Sequence, residues 1–175
     1  MEAPRSVRRD LLACYTCEMV ALAIWIGGLA VIIGSVIPAV FNSFGMEPGG
    51  RFLTRVFDGY NRAVMAAMVV LLLAGAVRLW ISARYDVPRA AISQPEVILL
   101  GLMIVVAIAI ILVLGPASVK LQEEAFAVKE ETAKQVAYAA FFNTHKAVRG
   151  LYVLNFGLGI ALVAVKLKSY IQSGS

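Results

Sequence analysis

Residues 97–119 read VILLGLMIVVAIAIILVLGPASV and contain no Asp, Glu, Lys or Arg. A helix needs roughly 20 apolar residues at about 1.5 Å each to cross a hydrocarbon core of about 30 Å. This stretch meets that length, and so does the charge-free run at 19–46. Two shorter runs follow the same pattern: 63–77, between Arg62 and Arg78, and 150–165, between Arg149 and Lys166. Each covers only about 24 Å as a helix. Long cationic side chains can bury their stems and lift the charge to the headgroups. Both runs therefore read as further spans, with the bounding cations expected at the membrane surfaces.

Working outward, the whole chain of 175 residues is 61% hydrophobic and 15% charged. A soluble domain carries about 25% charged residues, so the surplus apolar side chains need lipid as their solvent. The expected fold is all-α: one transmembrane domain over 1–175, built as an integral membrane four-helix bundle with an amphipathic helix between helices 3 and 4. The spans are expected at about 11–41, 60–83, 94–115 and 146–170. Pro38 and the glycine-rich stretch 42–50 are read as ending the first. Residues 49–60, with Phe52, Val56, Phe57 and Tyr60 at helical spacing, are read as lying at the interface. A turn is expected at 86–88 and a polar tail after the last helix. Gly115-Pro116 is expected to end the third span. Between about 117 and 144, Leu121, Ala125, Val128, Thr132, Val136 and Ala139 recur every three or four residues, which predicts the amphipathic helix. No internal repeat is apparent.

Arg5, Arg8 and Arg9 precede an apolar run too long for a secretory signal core, so that run is expected to stay as an anchor. With the N-terminus inside, Lys and Arg divide eight against eight between the two faces. The dense N-terminal triplet beside the first span decides for a cytoplasmic N-terminus.

Candidate chemistry is sparse. Ser93-Gln94-Pro95-Glu96 fits a capping box, in which Ser93 takes an orphan backbone N–H, Glu96 reaches back and Pro95 occupies the first turn. Glu18 lies about two turns into the first span, where a carboxylate is costly and normally faces the bundle or a wet cavity. Arg78 lies at similar depth on the same side, so a Glu18–Arg78 pair is expected. The bland alternative has both reaching separately to one interface. Cys14 and Cys17 share an i, i+3 spacing that suits a soft metal or a redox pair, but two small buried thiols are the simpler reading. Met19, Met65, Met68 and Met103 read as core filler. His145, the one His in the chain, falls at the opposite face from the thiols. It could join Arg62, Arg149, Tyr60 or Asn155 around a ligand at that rim, and Asn155 is expected to bond across to another helix. Glu18, Arg78, Arg62, His145 and Asn155 are thus the candidates for a ligand or ion path. Trp25, Gly27, Gly28, Gly34, Pro38 and Gly157 are expected to serve helix packing, the glycines through close approach. No metal or cofactor site and no nucleic-acid patch is expected. The net charge of +5 suits anionic lipid headgroups.

Trp25-Ile26-Gly27-Gly28 followed by Pro38 and Phe41, the aromatic run Phe52, Phe57 and Tyr60, and Phe142-x-x-His145 with Asn155 ten residues on resemble the transmembrane protein 205-like family. Its bacterial members carry a domain of unknown function. The resemblance covers about 11–165 and implies a four-helix membrane domain without an established activity. The related copper-resistance D group tends to carry a His where this chain has Glu18, which weakens any transfer of copper chemistry. The expected function is a non-enzymatic multi-pass protein of the bacterial inner membrane, an accessory or scaffold subunit with a membrane-protein partner or self-association. The alternatives are a small transporter or copper permease, and a haem or quinone site at His145.

Overall fold

The computed structural model describes residues 4–87 and 90–172. Pro88 and Arg89, part of the expected turn and of the basic tally, lie outside these residues, as does the tail beyond Gln172. Four long helices account for nearly all of the described chain: α1 (Arg5–Phe44), α2 (Met46–Tyr85), α3 (Gln94–Ala127) and α4 (Glu131–Gln172). Each holds a segment long and apolar enough to cross a membrane.

The helices outrun the expected spans because the anticipated breakers do not break them. Proline removes one N–H and clashes with the carbonyl four residues back. Here each offending turn is widened instead. Ile32–Val36 and Ala109–Leu114 are π-helical, and Pro38 and Pro116 follow just beyond. Ile37 N–H bonds to Ile32 O and Gly115 N–H to Ile110 O, each five residues back. The wider register moves the clashing carbonyl aside and the helix continues. Glycine is needed at 115, where a Cβ would lie 2.8 Å from Ile110 O.

The expected interface segment 49–60 is part of α2, which begins directly after Gly45. That residue turns the chain with φ +76°, a conformation that favours glycine. Gly49 lets the two helices close on each other, since a Cβ there would meet Phe41 at 3.1 Å. Asp86 ends α2 in the left-handed region, which Asp tolerates better than most residues.

The separate amphipathic helix at 117–144 is not present. Its first part is the end of α3 and its last part the start of α4, with a three-residue turn at 128–130 between them. Val128 is extended there, and Lys134 N–H bonding to Glu130 O opens α4. No glycine or proline marks this turn, so the composition reads straight through it. The predicted apolar stripe also fails as a packing face. Ala125 is buried while Val136 is 68% exposed.

Inward positions follow heptad spacing. On α2 they are Tyr60, Val64, Ala67, Leu71, Ala74, Arg78 and Ile81, which alternate steps of four and three as in a coiled-coil seam. Trp25, Leu29, Met103, Ala107 and Leu162 meet the first four of them in one core, and Ile81 joins Val7, Leu11 and Ala90 in a second. The outward faces are apolar instead of polar: Leu73, Val105 and Leu112 are all more than 60% exposed. That distribution fits a lipid-facing surface.

Candidate functional site

Each helix contributes one fully buried charge to a single cluster at the end of the bundle where α1 and α3 begin. They are Glu18, Arg78, Glu96 and Lys166, all at most 7% exposed. Arg78 Nη1 donates to Glu18 Oε2 at 2.9 Å and to Oε1 at 3.1 Å, and to Glu96 Oε1 at 2.7 Å. Lys166 Nζ donates to Glu18 Oε2 at 2.8 Å and makes a short bond to Glu96 Oε1. Both bases therefore touch both acids, and two positive charges meet two negative ones. Arg78 Nη2 also reaches the Ala91 carbonyl at 3.3 Å. Its guanidinium carbon stands 4.4 Å from the centre of the Tyr15 ring, a cation–π contact.

The depth of the cluster follows from the helix rise. Arg62 to Arg84 spans about 22 residues, or about 33 Å, which matches the hydrocarbon thickness. Arg78 lies about 9 Å inside the Arg84 end on the same scale. Leu79 and Trp80, 53% and 62% exposed, continue the apolar outer surface past it. Arg78 and Lys166 do not reach for the headgroups, as their place at the edges of apolar runs had suggested; they turn inward. An isolated charge in such a setting would be prohibitively costly, and mutual pairing with further hydrogen bonds is what makes it tolerable.

The Glu18–Arg78 pair is present. Glu96 is the correction. Ser93 does precede the first turn of α3, but its hydroxyl makes no capping bond and is buried without a partner. Val97 N–H bonds to the Ser93 carbonyl instead. The Glu96 carboxylate is used by two cations and is not available to the helix end. Taken together, the four helices each carry one buried charge at the same end of the bundle, with balanced signs. A separate local role for each residue, as helix cap or as cation at the membrane edge, hides that pattern in the sequence.

A second polar group lies toward the other end. Tyr60 Oη donates to the Trp25 carbonyl at 2.8 Å, Tyr152 Oη to Asn61 Oδ1 at 3.1 Å, and Asn155 Nδ2 to the Met103 carbonyl at 3.3 Å. Trp25, Tyr60, Asn61, Tyr152 and Asn155 border a small cavity of about 10 Å³. Asn155 thus bonds across to another helix as expected, but away from His145. Arg62, His145 and Arg149 are exposed, with His145 against Phe141 at a ring distance of 5.5 Å.

The thiols divide: Cys14 is buried and Cys17 is exposed, so the reading of two buried thiols fails. Among the described residues no three of His, Cys, Asp and Glu converge as a metal-ligand set. Met65 is 48% exposed while Met103 is fully buried. A Cβ at Gly28 would stand 3.2 Å from the Tyr60 ring, and Trp25 is in the core. Gly27, Gly34 and Gly157 have no neighbour within 4 Å of a Cβ, so they face outward, one step off the packed seam. The close approach on α4 is at Gly159, where a Cβ would stand 2.7 Å from Ile26.

The two hairpins α1–α2 and α3–α4 place residues in equivalent register. Glu18, Trp25, Leu29, Ile32 and Pro38 correspond to Glu96, Met103, Ala107, Ile110 and Pro116 at a constant offset of 78 residues. Ala67, Leu71, Ala74 and Arg78 correspond to Asn155, Gly159, Leu162 and Lys166 at an offset of 88. Trp25 and Met103, at matching places, each give a carbonyl to a side chain of the following helix. The repeat is one of register, since of these nine pairs only the Glu, Ile and Pro pairs keep their identity.

No curated protein and no solved structure matches the chain. A family model described as Domain of unknown function (DUF4149) matches residues 20–127, from just after Glu18 through Arg78, Glu96 and both π-helical turns. That match takes in more than half of the sequence, and the chain belongs to the DUF4149 family.

Proposed function

We propose that this chain is a non-enzymatic membrane component, an accessory or scaffold subunit that presents a rigid bundle to a second membrane helix. The observation that carries the reading is the outward row on α1. Ala23, Gly27, Ala30 and Gly34 are exposed at helical spacing, and Gly27 and Gly34 have open space around them. Rows of small residues let helix backbones approach closely in lipid, where dispersion and interhelical contacts drive association. The charge cluster supports the same reading from inside. Its groups are engaged with one another, and about 16 Å of helix separates Lys166 from Asn155, packed with side chains such as Leu71 and Leu162.

The finer family affinity, to the transmembrane protein 205-like group, stays part of this proposal, as does a bacterial inner membrane with a cytoplasmic N-terminus. Arg78 and Lys166 are buried and drop out of the charge tally, leaving six cations at the N-terminal face against eight. The orientation therefore rests on Arg5, Arg8 and Arg9 beside the first span.

The test is native mass in lipid nanodiscs, with bound metal and visible absorbance measured on the same sample. A complex larger than one chain, reduced to one chain by Gly27→Leu or Gly34→Leu with helicity unchanged, is the expected result. A lone wild-type chain would overturn the proposal. So would stoichiometric copper lost on replacing Cys14, Cys17 or Met65, or a Soret band abolished by His145→Ala.

A further inference from the structure

We propose that the cavity between Tyr60, Asn61, Tyr152, Asn155 and the π-helical turn of α3 is a binding site for a single water molecule, held near the Arg62 end of the bundle, away from the charge cluster. Two acceptors point to it. The first is Asn155, 3% exposed. Its Nδ2 donates to the Met103 carbonyl, which can only accept, so the amide cannot be turned over. Its Oδ1 is buried without a hydrogen-bond partner. An unsatisfied buried acceptor costs about 1–3 kcal/mol, and Asn155 lines the cavity.

The second acceptor is created by the helix itself. In the widened turn, Gly115 N–H bonds to Ile110 O. The other residue in reach of the Ile111 carbonyl is Pro116, which has no N–H. The register thus leaves the Ile111 carbonyl without a helical donor, and Ile111 lines the same cavity.

The space suits one occupant. A volume of about 10 Å³ is close to the smallest that holds a water, which typically makes about three hydrogen bonds. A water here donates one hydrogen to Asn155 Oδ1 and the other to the Ile111 carbonyl, and it accepts from the Asn61 amide on the same wall. No ion is required: both buried acceptors are neutral, and the lining carries no formal charge. The water satisfies the π-turn and ties α3 to α4 where the proline has removed a backbone bond.

The test is water–protein NOE and ROE spectroscopy on the full chain in nanodiscs, with labelled Asn and Ile. Wild type is expected to give water cross-peaks at the Asn155 side-chain amide and at Ile111 Hα, with signs showing slow exchange. Asn155→Leu is expected to abolish the Ile111 cross-peak while circular dichroism stays unchanged. Pro116→Ala supplies an N–H to the carbonyl and should weaken the Asn155 cross-peak several-fold. A wild type with its Asn155 amide assigned but no water cross-peak would refute the site, and so would an Ile111 cross-peak that survives Asn155→Leu undiminished.

Discussion

Replacing Glu18 with glutamine removes one negative charge from a cluster of two acids and two bases while keeping the shape of the side chain. The carboxylate accepts from Arg78 at 2.9 and 3.1 Å and from Lys166 at 2.8 Å. All of these groups are at most 7% exposed. The variant leaves a net positive charge about 9 Å inside the hydrocarbon edge, by the helix rise from Arg78 to Arg84. Breaking a buried pair by removing one partner costs about 3–5 kcal/mol, because the other charge is left uncompensated. A single contact at about 4 Å in an effective dielectric of 20 is worth about 4 kcal/mol, which agrees. The informative comparison is the double variant Glu18→Gln with Lys166→Met, which restores neutrality with one acid and one base. It should cost about 1–2 kcal/mol, less than either single change, giving a coupling of at least about 3 kcal/mol. Reversible unfolding in mixed micelles, followed by tryptophan fluorescence, measures all four corners. Single losses below about 1 kcal/mol, or a double variant equal to their sum, would mean that water or headgroups solvate these charges and that the bundle does not depend on their pairing.

The register repeat predicts asymmetric tolerance at its two bases. Lys166→Arg puts at that place what the other hairpin already uses and should cost less than Arg78→Lys, which loses the Ala91 bond and the Tyr15 contact, about 1–3 kcal/mol by the same unfolding assay. Gly159→Ala drives a methyl against Ile26 and should destabilise by about 1–3 kcal/mol. Gly157→Ala, facing open space, should be neutral or slightly stabilising in the same measurement, because alanine favours the helix by up to about 1 kcal/mol. Tyr60→Phe strips the bond to the Trp25 carbonyl and should lower stability by about 1–2 kcal/mol; an unchanged unfolding midpoint would contradict the buried geometry.

The number and order of spans are legible because lipid imposes a length and a polarity that composition cannot hide. Helix ends are not legible for a specific reason. In an α-helix an interior proline ends or kinks the helix, but at Pro38 and Pro116 a π-turn absorbs it, which the local sequence does not announce. The turn at 128–130 fails in the opposite sense, having no breaker residue at all. In the cluster, the Glu18–Arg78 pair is legible because both residues sit too deep to be casual. Glu96 is masked by a capping motif that explains the same four residues with local chemistry, and Lys166 by the tendency of long cations to sit at membrane edges. Both local explanations are sound in water or at an interface. They lose here because two opposite charges were already waiting at the same depth. The glycines show a limit of another kind. Gly157 and Gly159 stand two positions apart, and a phase error of that size exchanges the packed face of α4 for the lipid face.

Placing charges in the membrane makes physical sense once the alternatives to this fold are considered. Apolar seams in lipid discriminate poorly between partners and registers, because the acyl chains are as apolar as the helices. The heptad positions Tyr60, Val64, Ala67, Leu71 and Ala74 on α2 would still find apolar neighbours after a slip of one turn. The charges would not. Sliding α4 by one turn, about 5.4 Å, withdraws Lys166 from both Glu18 and Glu96. That leaves an unpaired ammonium and a cluster of net charge −1, each carrying the several-kcal/mol penalty of an uncompensated buried ion. The cluster therefore adds little to the stability of the correct bundle compared with an apolar core of the same volume, yet it strongly disfavours the wrong ones. Four helices need at least three pairwise registers fixed, and a network in which each base touches both acids links all four at once. Among the described residues the opposite ends of α1 and α3, where the π-turns lie, have no buried charge; the ion pair there, Arg51 with Glu123 at 2.8 Å, is half exposed and joins only α2 and α3. The two ends thus divide the work, with charge fixing register at one and widened turns adjusting the packing at the other.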